Sequence, residues 1–279
     1  MTTRQRIKIL VASAAFAALT SLLLFRSPGV QARGDGGNDN DEGSLIRIGF
    51  EIAPVHLNLE GKNKALVGLG SFIVNAQGDC NGCHTAGGPP NFNYAQNGNP
   101  YFLNQGPTKT DPSTYLAGGT DFGPALPPGF YDPGYENYLG PDMISRNLTP
   151  DKTGRPEGGN TLEQFKKIIR TGIDFDNLHP NCTTISPNPS PANCIPAPVD
   201  GRRLQIMPWP TFHNMTDRQL DAIYEYLSAI PCIPGPSQPS DLPPALQYAF
   251  PVLHNDCGGD PPQSASLNRV SQAHRARRP

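Results

Sequence analysis

The sequence predicts an all-α fold in which a few helices are joined by long irregular loops. Three observations point to it. Apolar residues recur at helical spacing in three separate stretches. The second and third stretches each open on Thr-x-x-Gln, the signature of a capping box. The segments between them are dense in residues that interrupt regular structure, with 32 Pro and 29 Gly in 279 residues. Charged residues make up 16% and aromatics 8% of the chain, which suits a small helical core under much irregular surface.

From the N-terminus, Arg4, Arg6 and Lys8 precede an apolar run over residues 9–25, and Val30-Gln31-Ala32 offers a small-residue cleavage site. Residues 1–32 therefore read as a secretory signal peptide, which places the protein in the periplasm or otherwise outside the cytoplasm. The apolar run is close to the roughly 18–20 residues that span a bilayer, so an uncleaved anchor, with the membrane association it brings, is the alternative. Residues 33–43, rich in Gly, Asp and Asn, read as a flexible spacer. A domain is expected over 44–232, followed by a Pro-rich tail over 233–279.

Within the domain, Ala65, Leu66, Leu69, Phe72, Ile73 and Ala76 recur at helical spacing over 62–77. Residues 87–147 show no period and read as a long ordered loop region with at most short helical turns. Thr161 with Gln164 caps a helix carrying Leu162, Phe165, Ile168 and Ile169, with Gly172 as its stop. Thr216 with Gln219 caps another carrying Leu220, Ile223, Tyr224, Leu227 and Ile230, closed by Pro231.

Directly after the first of these helices, residues 80–84 read Cys-Asn-Gly-Cys-His, the C-x-x-C-H pattern of c-type haem attachment. Thiols three positions apart on one helical turn can add to the two vinyl groups of a single haem, and the adjoining imidazole then falls under the iron. Cys80 and Cys83 are thus the expected covalent anchors and His84 the proximal ligand of one haem c. A redox C-x-x-C and half a zinc site are the competing readings. The first should sit in a βαβ pattern and the second should bring another C-x-x-C, and the sequence has neither.

Removal of residues 1–32 takes away four basic residues and no acidic one, leaving 18 Lys and Arg against 24 Asp and Glu, a net charge near −6. That balance argues against a nucleic-acid partner, and the basic residues at 269–278 read as a solvated end. Cys182, Cys194, Cys232 and Cys257 remain beside the motif. In an oxidising compartment four such cysteines favour two disulfides, expected between sequence neighbours as Cys182–Cys194 and Cys232–Cys257, although four cysteines allow three pairings.

Gly68-Leu69-Gly70-Ser71-Phe72 precedes the Cys80–His84 motif and Thr85; Leu116-Ala117-Gly118-Gly119, Asn147-Leu148-Thr149-Pro150-Asp151 and the 161–172 helix follow; Met207-Pro208-Trp209-Pro210 then leads into Met215-Thr216-Asp217 and Tyr224-Glu225-Tyr226-Leu227. In that order, over about 170 residues, the stretch 61–231 resembles a class I cytochrome c domain. It is more closely similar to the cytochrome c domains of the membrane-associated cytochrome subunits of bacterial alcohol and sugar-acid dehydrogenases. Those subunits typically carry three such domains, whereas this sequence has a single C-x-x-C-H, so the resemblance concerns the domain and not a multi-haem chain. It implies the class I fold, iron held between His84 and Met207, and electron carriage without an enzyme's bond chemistry. The implied partners are redox proteins: a donor dehydrogenase and an acceptor oxidase or other cytochrome.

Met207 lies in a Pro-punctuated loop just before the last helix, where the resemblance places the distal sulfur. Met215 precedes the Thr216 cap with Leu220 at the fourth helical position, a hydrophobic staple, and Met143 is expected to pack. His56, His179, His213, His254 and His274 read as solvated loop residues, with His213 the rival ligand because it lies six positions beyond Met207. Trp209, Tyr101, Tyr115, Tyr131 and Tyr138 could stack on a porphyrin or pack their loops. Leu69, Phe72, Ile223, Tyr226 and Leu227 are expected to wall an apolar haem pocket, with an exposed edge near Cys83 as the electron port. The rival functions are a five-coordinate haem enzyme of peroxidase type, in which Met207 leaves the iron open, and the cytochrome subunit of a periplasmic dehydrogenase complex.

Overall fold

The structure, a computed structural model, describes residues 37–85, 110–126, 138–185, 188–235 and 255–258. The leader, Tyr101, Tyr131, His254, His274 and most of the Pro-rich tail lie outside the described residues. The chain divides into two units at Asp41, and every feature of the site belongs to the second, Glu42–Pro279.

Among the described residues there are seven helices and one small sheet: α1 Gly37–Ile52, α2 Lys64–Phe72, α3 Cys80–His84, β1 Asp121–Pro124, β2 Asp142–Ile144, α4 Pro156–Gly159, α5 Leu162–Thr171, α6 Trp209–Phe212 and α7 Asp217–Leu227. The fold is thus mixed, with a two-stranded antiparallel ribbon beside the helices, which corrects the all-α expectation. Asp121 pairs with Ile144 and Pro124 with Asp142, with an irregular register between them. Strands of four and three residues are too short to show an alternating pattern, so the sequence region around them carried no period.

The flexible spacer expected over 33–43 is also corrected, because α1 begins at Gly37. Asp41 and Glu42 lie in its first half, where the positive end of a helix favours acidic groups, and Glu42 pairs with Arg218 on α7. Leu45, Ile46 and Phe50 supply the apolar contact, packing against the core. The Gly- and Asp-rich composition hid a helix that is stabilised by tertiary contact rather than by propensity.

The predicted 62–77 helix is present in two pitches. Asn63 caps α2 by accepting from the Ala65 and Leu66 amides at 3.1 and 3.3 Å, and at Ile73 the helix widens into a single π-turn, Ile73–Gln77. Both capping boxes form as predicted, Thr161 with Gln164 opening α5 and Thr216 with Gln219 opening α7. Gly172 closes α5 in the left-handed conformation.

Helices α2 and α7 meet at Gly70, where a Cβ would lie 1.9 Å from the Ala222 carbonyl oxygen. Only a glycine allows backbones this close. Beside the crossing, the π-turn aims Asn75 at two fully buried tyrosines. Tyr115 Oη donates to Asn75 Oδ1 at 2.6 Å and shares a 2.9 Å hydrogen bond with Tyr226 Oη, while Asn75 Nδ2 donates to Tyr226 Oη at 3.2 Å. A buried hydroxyl without a partner costs about 1–3 kcal/mol, so this closed set fixes one arrangement of α2, α7 and the 111–120 loop. The remaining cysteines pair as expected, Cys182 with Cys194 and Cys232 with Cys257.

Replacement of Gly70 by alanine is expected to lower unfolding stability by about 3 kcal/mol, the upper range for overpacking. Gly43→Ala, at a helical position where a Cβ meets nothing within 4 Å, should be neutral or stabilising. Urea unfolding midpoints check both, and equal losses at the two positions would contradict the crossing geometry.

Candidate functional site

Helix α3 is one short turn, Cys80 to His84, that follows the π-turn through Gly78 and Asp79. Its end is stitched to two loops. The His84 carbonyl accepts from the Gly118 amide at 2.6 Å, the Thr85 hydroxyl accepts from the Leu116 amide at 3.1 Å, and the Leu148 amide donates to the Leu116 carbonyl at 2.8 Å. Gly118 has φ of +72°, and a Cβ there would lie 2.6 Å from the backbone at Arg146 and Asn147. The glycine therefore lets the 116–119 loop lie flat on the segment after β2.

This stitching brings the Arg146 carbonyl oxygen 2.8 Å from His84 Nδ1. A carbonyl can only accept, so Nδ1 carries the proton and Nε2 keeps its lone pair. Burial lowers the His84 pKa, which holds the ring neutral. A neutral, oriented imidazole with one bare nitrogen is the form that binds a metal.

His84 lines a cavity of about 190 Å³. Its wall is largely apolar: Ile73 and Val74 come from the π-turn, Phe165 and Ile169 from α5, and Ile223 and Leu227 from α7. Cys80, Cys83 and Met207 line the same cavity. Four site residues separated by up to 127 positions in sequence thus face one space. Cys80 and Cys83 are free thiols, and Cys83 is exposed.

The thiols are poorly suited to thiolate chemistry. Burial, with Asp79 and Cys83 adding to it, pushes Cys80 up to about 12, and burial with Asp79 also raises Cys83. Redox C-x-x-C sites and zinc sites need the thiolate and depress its pKa. Thioether sulfur carries no charge, so covalent attachment to a porphyrin suits these surroundings. No group of three or more His, Cys, Asp and Glu gathers as a metal-ion site among the described residues. The neutral imidazole, two neutral thiols and apolar wall together fit a haem.

Several expected roles differ. Leu69, Phe72 and Tyr226 do not line the cavity; Leu69 and Tyr226 belong to the buried core cluster and Phe72 is half-buried, while Ile73 and Val74 of the π-turn take the wall. Tyr115 is held in the Asn75 set, Tyr138 donates to the Cys194 carbonyl at 2.8 Å, and Trp209 stacks under Arg203 at 5.5 Å. His213 is exposed and its Nδ1 engages the Arg170 carbonyl, outside the cavity. Met143 and Met215 line the cavity together with Met207.

A polar group on the cavity wall was not foreseen from the sequence. Arg146, nearly buried, pairs with Asp174 and, at 2.6 Å, with Asp176. His179, expected in solvent, lines the cavity with its Nδ1 3.2 Å from the Asn193 carbonyl. Glu157 is 7% exposed, and its Oε2 has no hydrogen-bond partner. Desolvation pushes Glu157 up to about 7, against the pull of Arg146 and with Asp176 and Asp174 adding to the rise. Comparison with protein-family models, curated proteins and solved structures finds no match to this chain.

The raised Glu157 pKa makes stability pH-dependent in a defined direction. The folded state holds the proton more tightly than the unfolded chain, with its ordinary value of 4.5, so this contribution is present below about pH 4.5 and lost as pH rises through about 7. Glu157→Gln should therefore match the parent near pH 4 and exceed it at pH 8 by up to about 3 kcal/mol. Denaturant unfolding at both pH values checks this, and a variant less stable at pH 8 would contradict it.

Proposed function

We propose that the chain is an exported monohaem c-type cytochrome of class I type that carries single electrons between redox proteins. The observation that carries the reading is the His84–Arg146 hydrogen bond, which leaves a bare imidazole nitrogen on an apolar cavity shared with the two motif thiols. Cys80 and Cys83 would hold one haem through thioethers, with His84 and Met207 as its axial ligands. The bound haem supplies reversible one-electron chemistry between ferric and ferrous iron.

The protein's own contribution follows from the cavity. Its apolar wall disfavours added positive charge, and a thioether ligand stabilises the ferrous state relative to a second imidazole. The Arg146 carbonyl keeps His84 in one tautomer, so the ligand does not reorganise during transfer. Exposed Cys83 marks the edge at which an electron can enter or leave. Two disulfides, and the absence of a helix long and apolar enough to cross a membrane among the described residues, are compatible with export. A donor dehydrogenase and an acceptor oxidase or second cytochrome are the partners this reading requires.

Met207 is preferred over Met143 and Met215 because it sits in the loop entering α6 and has no place in a staple or strand. Met207→His should keep the haem attached and lower the reduction potential, whereas Met143→His and Met215→His should leave it nearly unchanged. Voltammetry of the three variants, with the long-wavelength charge-transfer band of methionine-ligated ferric haem as a second readout, checks the assignment. A shift at Met143 or Met215 alone would move the ligand. No shift in any variant, with the band absent in the parent, would favour the open-site enzyme.

A further inference from the structure

We infer that Glu157 is a redox-linked proton site, a carboxyl in the wall of the haem cavity that takes up a proton on reduction and releases it to water on oxidation. The inference rests on the cytochrome reading and deepens it, because it assigns a proton to the electron that the cavity handles.

The geometry singles out this carboxyl. Glu157 is 7% exposed, lines the cavity and leaves Oε2 without a hydrogen-bond partner. A buried ionised carboxylate with an unfilled acceptor is costly and responds to a change of charge nearby. Its backbone is left-handed, with φ of 53° and ψ of 53°, a conformation that a non-glycine residue adopts at a cost of order 1 kcal/mol. The turn thus holds in place a carboxyl that bonds Asn160 through its side chain and leaves Oε2 unpartnered.

The surrounding charges decide which group titrates. From the segment after β2 comes Arg146, already bound by Asp174 and Asp176 of the loop following α5. Asn160, at the end of α4, donates from Nδ2 to the Glu157 carbonyl at 2.9 Å. His179 and Arg203 complete the polar wall. Three carboxyls therefore face one guanidinium, and Asp174 and Asp176 hold its ion pairs while Glu157 does not. Asp174 is satisfied by Arg146. Burial lowers the pKa of His179.

The step balances as follows. Ferrous iron with protonated Glu157 yields ferric iron with ionised Glu157, one electron passing to a one-electron acceptor protein or an electrode and one proton passing to water. The added positive charge on the iron is matched by the negative charge left on Glu157, and a low-dielectric cavity favours that compensation.

The test is equilibrium voltammetry of the full-chain holoprotein between about pH 4 and pH 9, a range that brackets the ordinary Glu157 value of 4.5 and the raised value of about 7. If oxidation weakens proton binding at Glu157 about tenfold, the potential should fall with rising pH by about 59 mV in total. Glu157→Gln should be flat at the parent's acid limit, because glutamine stands in for the protonated acid, and His179→Asn should keep the parent's slope. Redox-difference infrared spectra of the parent should lose a protonated-carboxyl band on oxidation, a readout that does not depend on the variant folding. A flat parent with an intact haem spectrum would overturn this inference and leave the cytochrome reading standing. A slope lost in His179→Asn and kept in Glu157→Gln would reassign the proton. A protein without haem would overturn both.

Discussion

The hydrogen bond between His84 and the Arg146 carbonyl is the constraint from which the rest of the site follows. It settles the tautomer of a ring that lines the cavity, and it requires the segment after β2 to lie directly on the end of α3. That placement needs a backbone without a side chain at Gly118, where a Cβ would strike Arg146 and Asn147. It also needs Thr85, fully buried, to receive the Leu116 amide. The side chain of Arg146 carries the same constraint further. It reaches Asp174 and Asp176 beyond α5, so one residue ties the histidine turn by its main chain and the opposite loop by its guanidinium.

The helical frame solves a different problem. Helices α2 and α7 approach closely at Gly70 and Ala222, and the Asn75, Tyr115 and Tyr226 set closes the polar groups buried beside them. Close packing on that side leaves the cavity on the other, walled by the inward face of the π-turn, α5 and α7. Apolar wall and polar cluster have opposite effects on charge. The wall penalises an unpaired charge inside, whereas the Arg146 guanidinium is ion-paired by Asp174 and by the half-exposed Asp176. Glu157 has no place in those ion pairs, and desolvation by burial pushes its carboxyl up to about 7.

Much of this was legible in the sequence wherever local chemistry determines the outcome. The Thr161 and Thr216 capping boxes, the Gly172 stop and the two disulfides depend on residues a few positions apart or on sequence neighbours in an oxidising setting, and each forms as read. The motif at 80–84 likewise named three residues that line the cavity. What escaped was set by distant contacts. Helix α1 has a polar first half and is held by packing of Leu45, Ile46 and Phe50, and the π-turn that brings Ile73 and Val74 into the wall has no signature in an apolar pattern. Arg146, Glu157, Asp174 and His179 come from loops without periodicity. Nothing in their local sequence distinguishes a buried charge from a solvated one.

Intact-mass spectrometry of the purified protein under denaturing conditions tests whether Cys80 and Cys83 carry the haem proposed for them. The account predicts a mass above that of the polypeptide by one haem, localised after digestion to the peptide containing residues 80–84, and lost when both cysteines are replaced by serine. A polypeptide mass with Cys80 and Cys83 free, or joined to each other as a disulfide, would contradict it.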